Sequence, residues 1–164
     1  MNEQQYRTVI GWFNARPAAK KALRAVSTGA AAAVYLLYLG LLAWLAWHAM
    51  WAPLGVTAVV PAAAFVVGTA LRAAINRPRP YTKYGFVPLF PKDKTGQSMP
   101  SRHCFSAAAI VAAAFTVWVP LGMAACLLAA VVAVTRVLTG VHYPSDVLAG
   151  LAFGAGAAVI GFLL

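Results

Sequence analysis

The chain has 164 residues, of which 62% are hydrophobic and 10% charged, and its formal net charge is +10. A soluble domain carries about a quarter charged residues, so this composition excludes an ordinary water-exposed globule. Mean hydropathy of +0.77 and apolar runs near the length that crosses a bilayer point to an integral membrane protein.

Residues 1–28 mix Ile10, Trp12 and Phe13 with Arg7, Arg16, Lys20 and Lys21. That mixture suits a basic amphipathic helix lying at the bilayer surface. A first span is expected over 29–50. It follows five basic residues and lacks a small-residue cleavage site, so it reads as a retained span rather than a signal peptide. Its far end carries Trp44, Trp47 and Trp51, as an interfacial belt does. A second span covers 54–75, with Pro61 in its first two turns as a bend point. Residues 76–102 form the one long loop, which holds five prolines and most of the polar chemistry. Loops of that length are usually functional when ordered. A short third span over 103–119 turns at Pro120–Gly122 into a fourth over 121–138, and a fifth covers 147–164. Gly150, Gly154 and Gly161 let one face of that last span approach a neighbour closely. The expected fold is therefore all-α. It is a polytopic transmembrane helix bundle of about five spans over 29–164, preceded by an N-terminal interfacial segment over 1–28.

With five spans, the N-terminus, the long loop and the 139–146 loop share one side. All thirteen Lys and Arg residues fall on that side or at span ends bordering it. The positive-inside rule makes it the cytoplasmic face, and a bacterial cell membrane is the expected location. Arg7, Arg16, Lys20, Lys21 and Arg24 give this answer without help from any ligand-binding arginine. The basic residues flank apolar segments and have no aromatic-interleaved soluble domain around them. Anionic lipid headgroups and phosphate ligands, not nucleic acid, are therefore the expected partners. Cys104 and Cys126 lie in apolar runs and read as buried small hydrophobes rather than a disulfide. No CxxC or HExxH spacing occurs, and neither a metal nor another cofactor is expected.

Three polar clusters meet on the basic side: Arg72, Arg77 and Arg79; Ser101, Arg102 and His103; and Arg136, His142 and Asp146. Ionisable residues at membrane depth are costly and by default mark function. Several guanidinium groups with almost no acidic partners match phosphate oxygens through bidentate forks. Helix starts after Pro100 and Pro144 add backbone N–H donors and positive dipole ends, and Ser101 suits an N-cap. Two histidines supply what binding alone does not need, a nucleophile and a proton donor. Asp146 lies four residues after His142, close enough to bond the imidazole and set its tautomer. The plainer readings are kept elsewhere. Arg24, Lys83, Lys92 and Lys94 read as snorkelling anchors, Arg77 as a loop charge, Ser145 as a helix cap, and Tyr143 and His48 as interfacial residues.

These clusters resemble the signature of the type 2 phosphatidic acid phosphatases (PAP2), a family of membrane-embedded lipid phosphate phosphatases. The family's Lys, six residues, Arg-Pro appears as Arg72 followed by Arg79-Pro80. Its Pro-Ser-Gly-His appears as Pro100-Ser101-Arg102-His103. Its Ser-Arg, five residues, His, three residues, Asp appears as Thr135-Arg136, His142 and Asp146. The resemblance implies a metal-independent phosphohydrolase acting on phosphatidic acid, phosphatidylglycerol phosphate or a polyprenyl phosphate or diphosphate. It implies that His142 attacks phosphorus to form a phosphohistidine, that His103 protonates the leaving oxygen and that Asp146 orients His142. Arg72, Arg79, Ser101, Arg102 and Arg136 then hold the phosphate. The departure that matters most is Arg102 in place of glycine, which is harmless only on an ordinary helical backbone. A catalytically idle lipid-phosphate binder is the alternative. A transporter is disfavoured, because the midplane stretches are Ala, Val, Leu and Gly.

Overall fold

The computed structural model describes residues 1–164. Seven helices follow in order: α1 (Glu3–Asn14), α2 (Pro17–Trp47), α3 (Trp51–Ile75), α4 (Pro80–Tyr84), α5 (Arg102–Val117), α6 (Val119–Leu138) and α7 (Pro144–Leu163). Four of them, α2, α3, α6 and α7, are long and apolar enough to cross a membrane, whereas α5 is a shorter apolar helix. With 16 residues α5 is about 24 Å long, less than the hydrocarbon thickness of about 30 Å. It tolerates this because it packs against α2, α3, α6 and α7 rather than against lipid.

Small residues make that central position possible. Ala107, Ala108, Ala109, Ala113 and Ala114 of α5 are all buried. On one flank Ala107 and Ile110 meet Ala30 and Val34 of α2 and Ala129 and Val132 of α6. On the other, Ala109 meets Val60 and Ala64 of α3 and Ala158 of α7. Three of the four glycines of α7 mediate contacts within the chain. A Cβ on Gly150 would lie 2.8 Å from the Ser101 carbonyl oxygen, and one on Gly154 would collide with the Phe105 backbone. Gly161 faces Val60 in the same way.

Several boundaries differ from the sequence expectation, each for a local reason. Residues 17–28 are not a separate surface piece: α2 begins at Pro17 and runs 31 residues, about 46 Å, well beyond a bilayer core. Proline at a first helical position fits because its missing N–H is not needed there. The turn into α6 falls at Trp118, which is extended (φ −155°, ψ 118°), while Pro120 sits inside the first turn of α6. Because α3 starts at Trp51, Pro61 lies deeper than the first two turns. It cannot donate to the Thr57 carbonyl, and the Tyr38 hydroxyl supplies that bond instead at 2.9 Å. Cys126 is exposed on the outer face of α6, whereas Cys104 is buried as expected.

The surface helix α1 is capped reciprocally by Asn2 and Gln5. Tyr6 and Ile10 turn inward, and Ile10 packs with Leu23 and Leu89. Residues 76–101 lie at the same end of the bundle, held by the Asn76 left-handed cap of α3 and the short helix α4.

The α5–α7 contact yields a direct expectation. Gly154→Ala should destabilise the protein by on the order of 1–3 kcal/mol, read as earlier thermal unfolding in detergent. Gly156→Ala, at a position where a Cβ meets nothing, should leave the transition in place.

Candidate active site

Helices α5 and α7 run the same way, so their first turns lie together at the end of the bundle that holds α1 and the long loop. The Ser101 amide donates to the Asp146 carbonyl at 2.9 Å and stitches the two starts to each other. Above them opens a cavity of about 430 Å³. Arg72 reaches it from the last turn of α3, Arg79 from the start of α4 and Arg136 from the last turn of α6. Arg102 and His103 reach it from the first turn of α5, and His142 from the turn between α6 and α7. Lys92, Asp93 and Lys94 of the long loop complete the rim.

Six of the eight residues singled out from the sequence therefore share one wall. Asp146 and Ser101 are the other two, and both are fully buried behind it. Ser101 caps α5 by position, yet its hydroxyl has no hydrogen-bond partner. Arg72 donates to the carbonyls of Pro100 and Gln97, and Arg79 donates to that of Gly96. The two arginines thus shape the long loop while remaining on the cavity wall. Arg102 is the first residue of α5 and is not among the non-glycine residues with positive φ, which are Ala49, Asn76 and Gln97. Its side chain costs no backbone strain where the family signature has glycine.

The carboxylate of Asp146 is unusually well surrounded. Its Oδ2 accepts from the Tyr143 amide at 2.9 Å and from the Ser98 hydroxyl. His142 Nδ1 stands 3.6 Å from Oδ2 and 3.4 Å from Ser98 Oγ. The serine oxygen therefore faces the same ring nitrogen as the carboxylate. Oδ1 accepts from Arg77 Nη1 at 2.7 Å, and that guanidinium lies 4.2 Å over the Tyr143 ring. With Nδ1 directed at this cluster, Nε2 is the nitrogen left for a ligand. His142 lies outside the spans, and burial holds its pKa below the ordinary histidine value. The Asp146 carboxylate partly opposes the shift, and Arg79 and Arg72 reinforce it.

Sequence reasoning missed several of these partners. Arg77 is an ion-pair partner of the buried carboxylate rather than a free loop charge, and Ser145 Oγ accepts from it. Lys92 and Lys94 line the cavity rather than merely anchoring the chain. Ser98 sits in an irregular loop, where no periodicity marks it. Tyr6 donates its hydroxyl to the His142 carbonyl at 3.0 Å and stacks on Phe86. The spacing of Tyr6, Ile10 and Phe13 along one helical face was the available signal.

A helical membrane bundle with a cationic cup, two imidazoles and a buried carboxylate behind one of them defines the class. The chain belongs to the PAP2 superfamily, whose sequence model matches residues 50–164. It is 40% identical over 96 residues to a lipid A 1-phosphatase of Rhizobium johnstonii, a match covering 55% of this chain and 38% of the relative. It is 39% identical over 95 residues to a lipid A 1-phosphatase of Rhizobium etli, covering 54% and 40%. The match thus spans about two fifths of the length of these curated relatives. Among solved structures, Aquifex aeolicus LpxE superposes with a TM-score of 0.75 at 22% identity, covering 99% of this chain and 95% of the other. A PAP2-type phosphatidylglycerolphosphate phosphatase of Bacillus subtilis gives 0.60 at 19% identity, covering 97% and 91%. At these identities the two structures establish the shared fold.

The burial of His142 carries a pH dependence. Its pKa is lowered in the folded chain, so below about pH 6.5 the unfolded chain binds a proton that the folded site refuses. Its contribution to stability is complete above that value and is lost as pH falls through the folded pKa. Thermal unfolding between pH 7 and 5 should therefore show a shallower acid loss for His142→Gln than for the unsubstituted protein.

Proposed function

We propose that this protein is an integral membrane lipid phosphate phosphatase that works through a phosphohistidine. The observation that carries the reading is one cationic wall holding both imidazoles, with a buried carboxylate behind His142 only. Arg72, Arg79, Arg102 and Arg136 bind the phosphate oxygens, and Ser101 with the first amides of α5 completes the cradle. His142 Nε2 attacks phosphorus in line, forming the N–P bond as the bond to the lipid oxygen breaks. His103 gives that oxygen its proton. Asp146, held by Ser98, Arg77 and the Tyr143 amide, keeps the Nδ1 proton in place and balances the charge on the phosphoimidazole. His103 then takes a proton from water as the water attacks phosphorus, releasing inorganic phosphate and free His142.

The substrate is a lipid whose phosphate stands at the interface while its chains remain in the bilayer. Lipid A, named for the relatives, joins phosphatidic acid, phosphatidylglycerol phosphate and polyprenyl phosphate or diphosphate as the panel to test. Purified protein should release phosphate from short-chain phosphatidic acid or another panel member in detergent containing EDTA. His142→Ala should abolish turnover, and Ser98→Ala should slow it by about tenfold, as removing one positioning hydrogen bond does. Equal release by the unsubstituted and His142→Ala proteins would reject the enzyme. Binding without release by both would leave the idle binder.

The charge distribution supports a cytoplasmic cavity, since all thirteen Lys and Arg residues belong to that end of the bundle. In a Cys126→Ala background, Lys92→Cys in intact cells should resist a membrane-impermeant thiol reagent and react once the cells are opened. Labelling before opening would place the cavity outside.

A further inference from the structure

Beside the main cavity lies a smaller chamber of about 210 Å³ between α2, the end of α6 and the long loop. The two share Pro91, Lys92, Arg136 and Val141, so Arg136 stands on the wall between them. Arg24, Lys92 and Arg136 bring three cations to the chamber, and no carboxylate lines it. None of the three takes part in any ion pair of the molecule. Ser27 and Thr28 add hydroxyl donors. The Arg136 Nε is buried without a hydrogen-bond partner, and the group's one bond is a 3.5 Å contact from Nη2 to the Ser27 carbonyl. Arg24 is held toward the loop by the Phe90 ring, 5.5 Å from its guanidinium carbon.

A buried guanidinium nitrogen without an acceptor is costly and needs a partner. Surface anchoring explains Arg24 or Lys92 alone. A phosphate in the main cavity answers one side of Arg136, but neither reading explains why Arg24, Lys92, Ser27 and Thr28 gather with it around a connected chamber that has no carboxylate. We propose that the side chamber is a second anion subsite, which binds a phosphate oxyanion next to the one being hydrolysed. Arg136 would bridge the two groups, and Arg24 would belong to the second alone. The substrate class is then a lipid diphosphate, although the headgroup phosphate of a neighbouring anionic lipid has the same chemistry. This inference rests on the phosphatase reading for its kinetics but not for its binding test.

The decisive comparison uses farnesyl monophosphate and farnesyl diphosphate in neutral detergent, with Arg24→Gln and, as a control on the same helix, Lys21→Gln. Arg24→Gln should lower kcat/KM for the diphosphate about tenfold more than for the monophosphate, the loss expected for one charged hydrogen bond. Lys21→Gln should keep the ratio. A second arm adds phosphatidylglycerol to the monophosphate assay. Stimulation that disappears in Arg24→Gln, with the substrate ratio unmoved, assigns the chamber's phosphate to a neighbouring lipid. Thermal stabilisation of His142→Ala protein by the diphosphate, with and without Arg24→Gln, reads occupancy independently of turnover. If Arg24→Gln changes neither the substrate ratio, nor the lipid stimulation, nor that stabilisation, the subsite is overturned. If the unsubstituted protein hydrolyses nothing yet Arg24→Gln weakens the stabilisation, the phosphatase reading fails and the subsite stands.

Discussion

The close approach of α5 and α7 is the constraint on which the site depends. Glycine at 150 and 154 removes the side chains that would hold the helices apart. The backbones then come near enough for the Ser101 amide to bond the Asp146 carbonyl. Two helix N-termini with aligned dipoles end side by side, and their positive ends face one opening. His103 and the Asp146 cluster are carried on those two starts. Spreading the helices by one carbon would separate the proposed acid from the proposed nucleophile's support.

Charge is distributed around that contact in a particular order. The cavity wall is almost wholly cationic, with Asp93 as its one carboxylate. The other nearby carboxylate, Asp146, is fully buried and kept off the wall. It therefore compensates His142 and Arg77 without neutralising the arginines that face the opening. A buried carboxylate is tolerable only when its acceptor capacity is filled, and here a serine, a backbone amide and a guanidinium fill it. The result is an imidazole that stays neutral in a strongly positive surrounding.

Hydropathy located the spans because lipid imposes a length and a composition on every crossing helix. The signature spacings located Arg72, Arg79, Arg102, His103, Arg136 and His142 because each sits at a helix end or in a short turn. Helix ends are where a pattern of local spacing becomes a pattern in space. Ser98, Arg77 and Lys92 were opaque for the opposite reason. They belong to the long loop, whose path follows hydrogen bonds to residues far along the chain, such as Arg72 to Pro100 and Arg79 to Gly96. The turn at Trp118 was misplaced because Pro120 marks both a loop and a helical first turn. The join at 28/29 was misplaced because polarity changes there while the helix of α2 does not.

The bond from Tyr6 to the His142 carbonyl gives the N-terminal helix a meaning that its surface position hides. Tyr6 also stacks on Phe86 and meets Tyr84 and Tyr143 edge-on or tilted, so an aromatic plug closes the underside of the turn that carries His142. A protein trimmed of its first helix would keep every signature residue and every span. It would nevertheless lose the hydroxyl that holds the His142 carbonyl and the ring that packs on Tyr143, so the backbone carrying the imidazole would be left unbraced on that side.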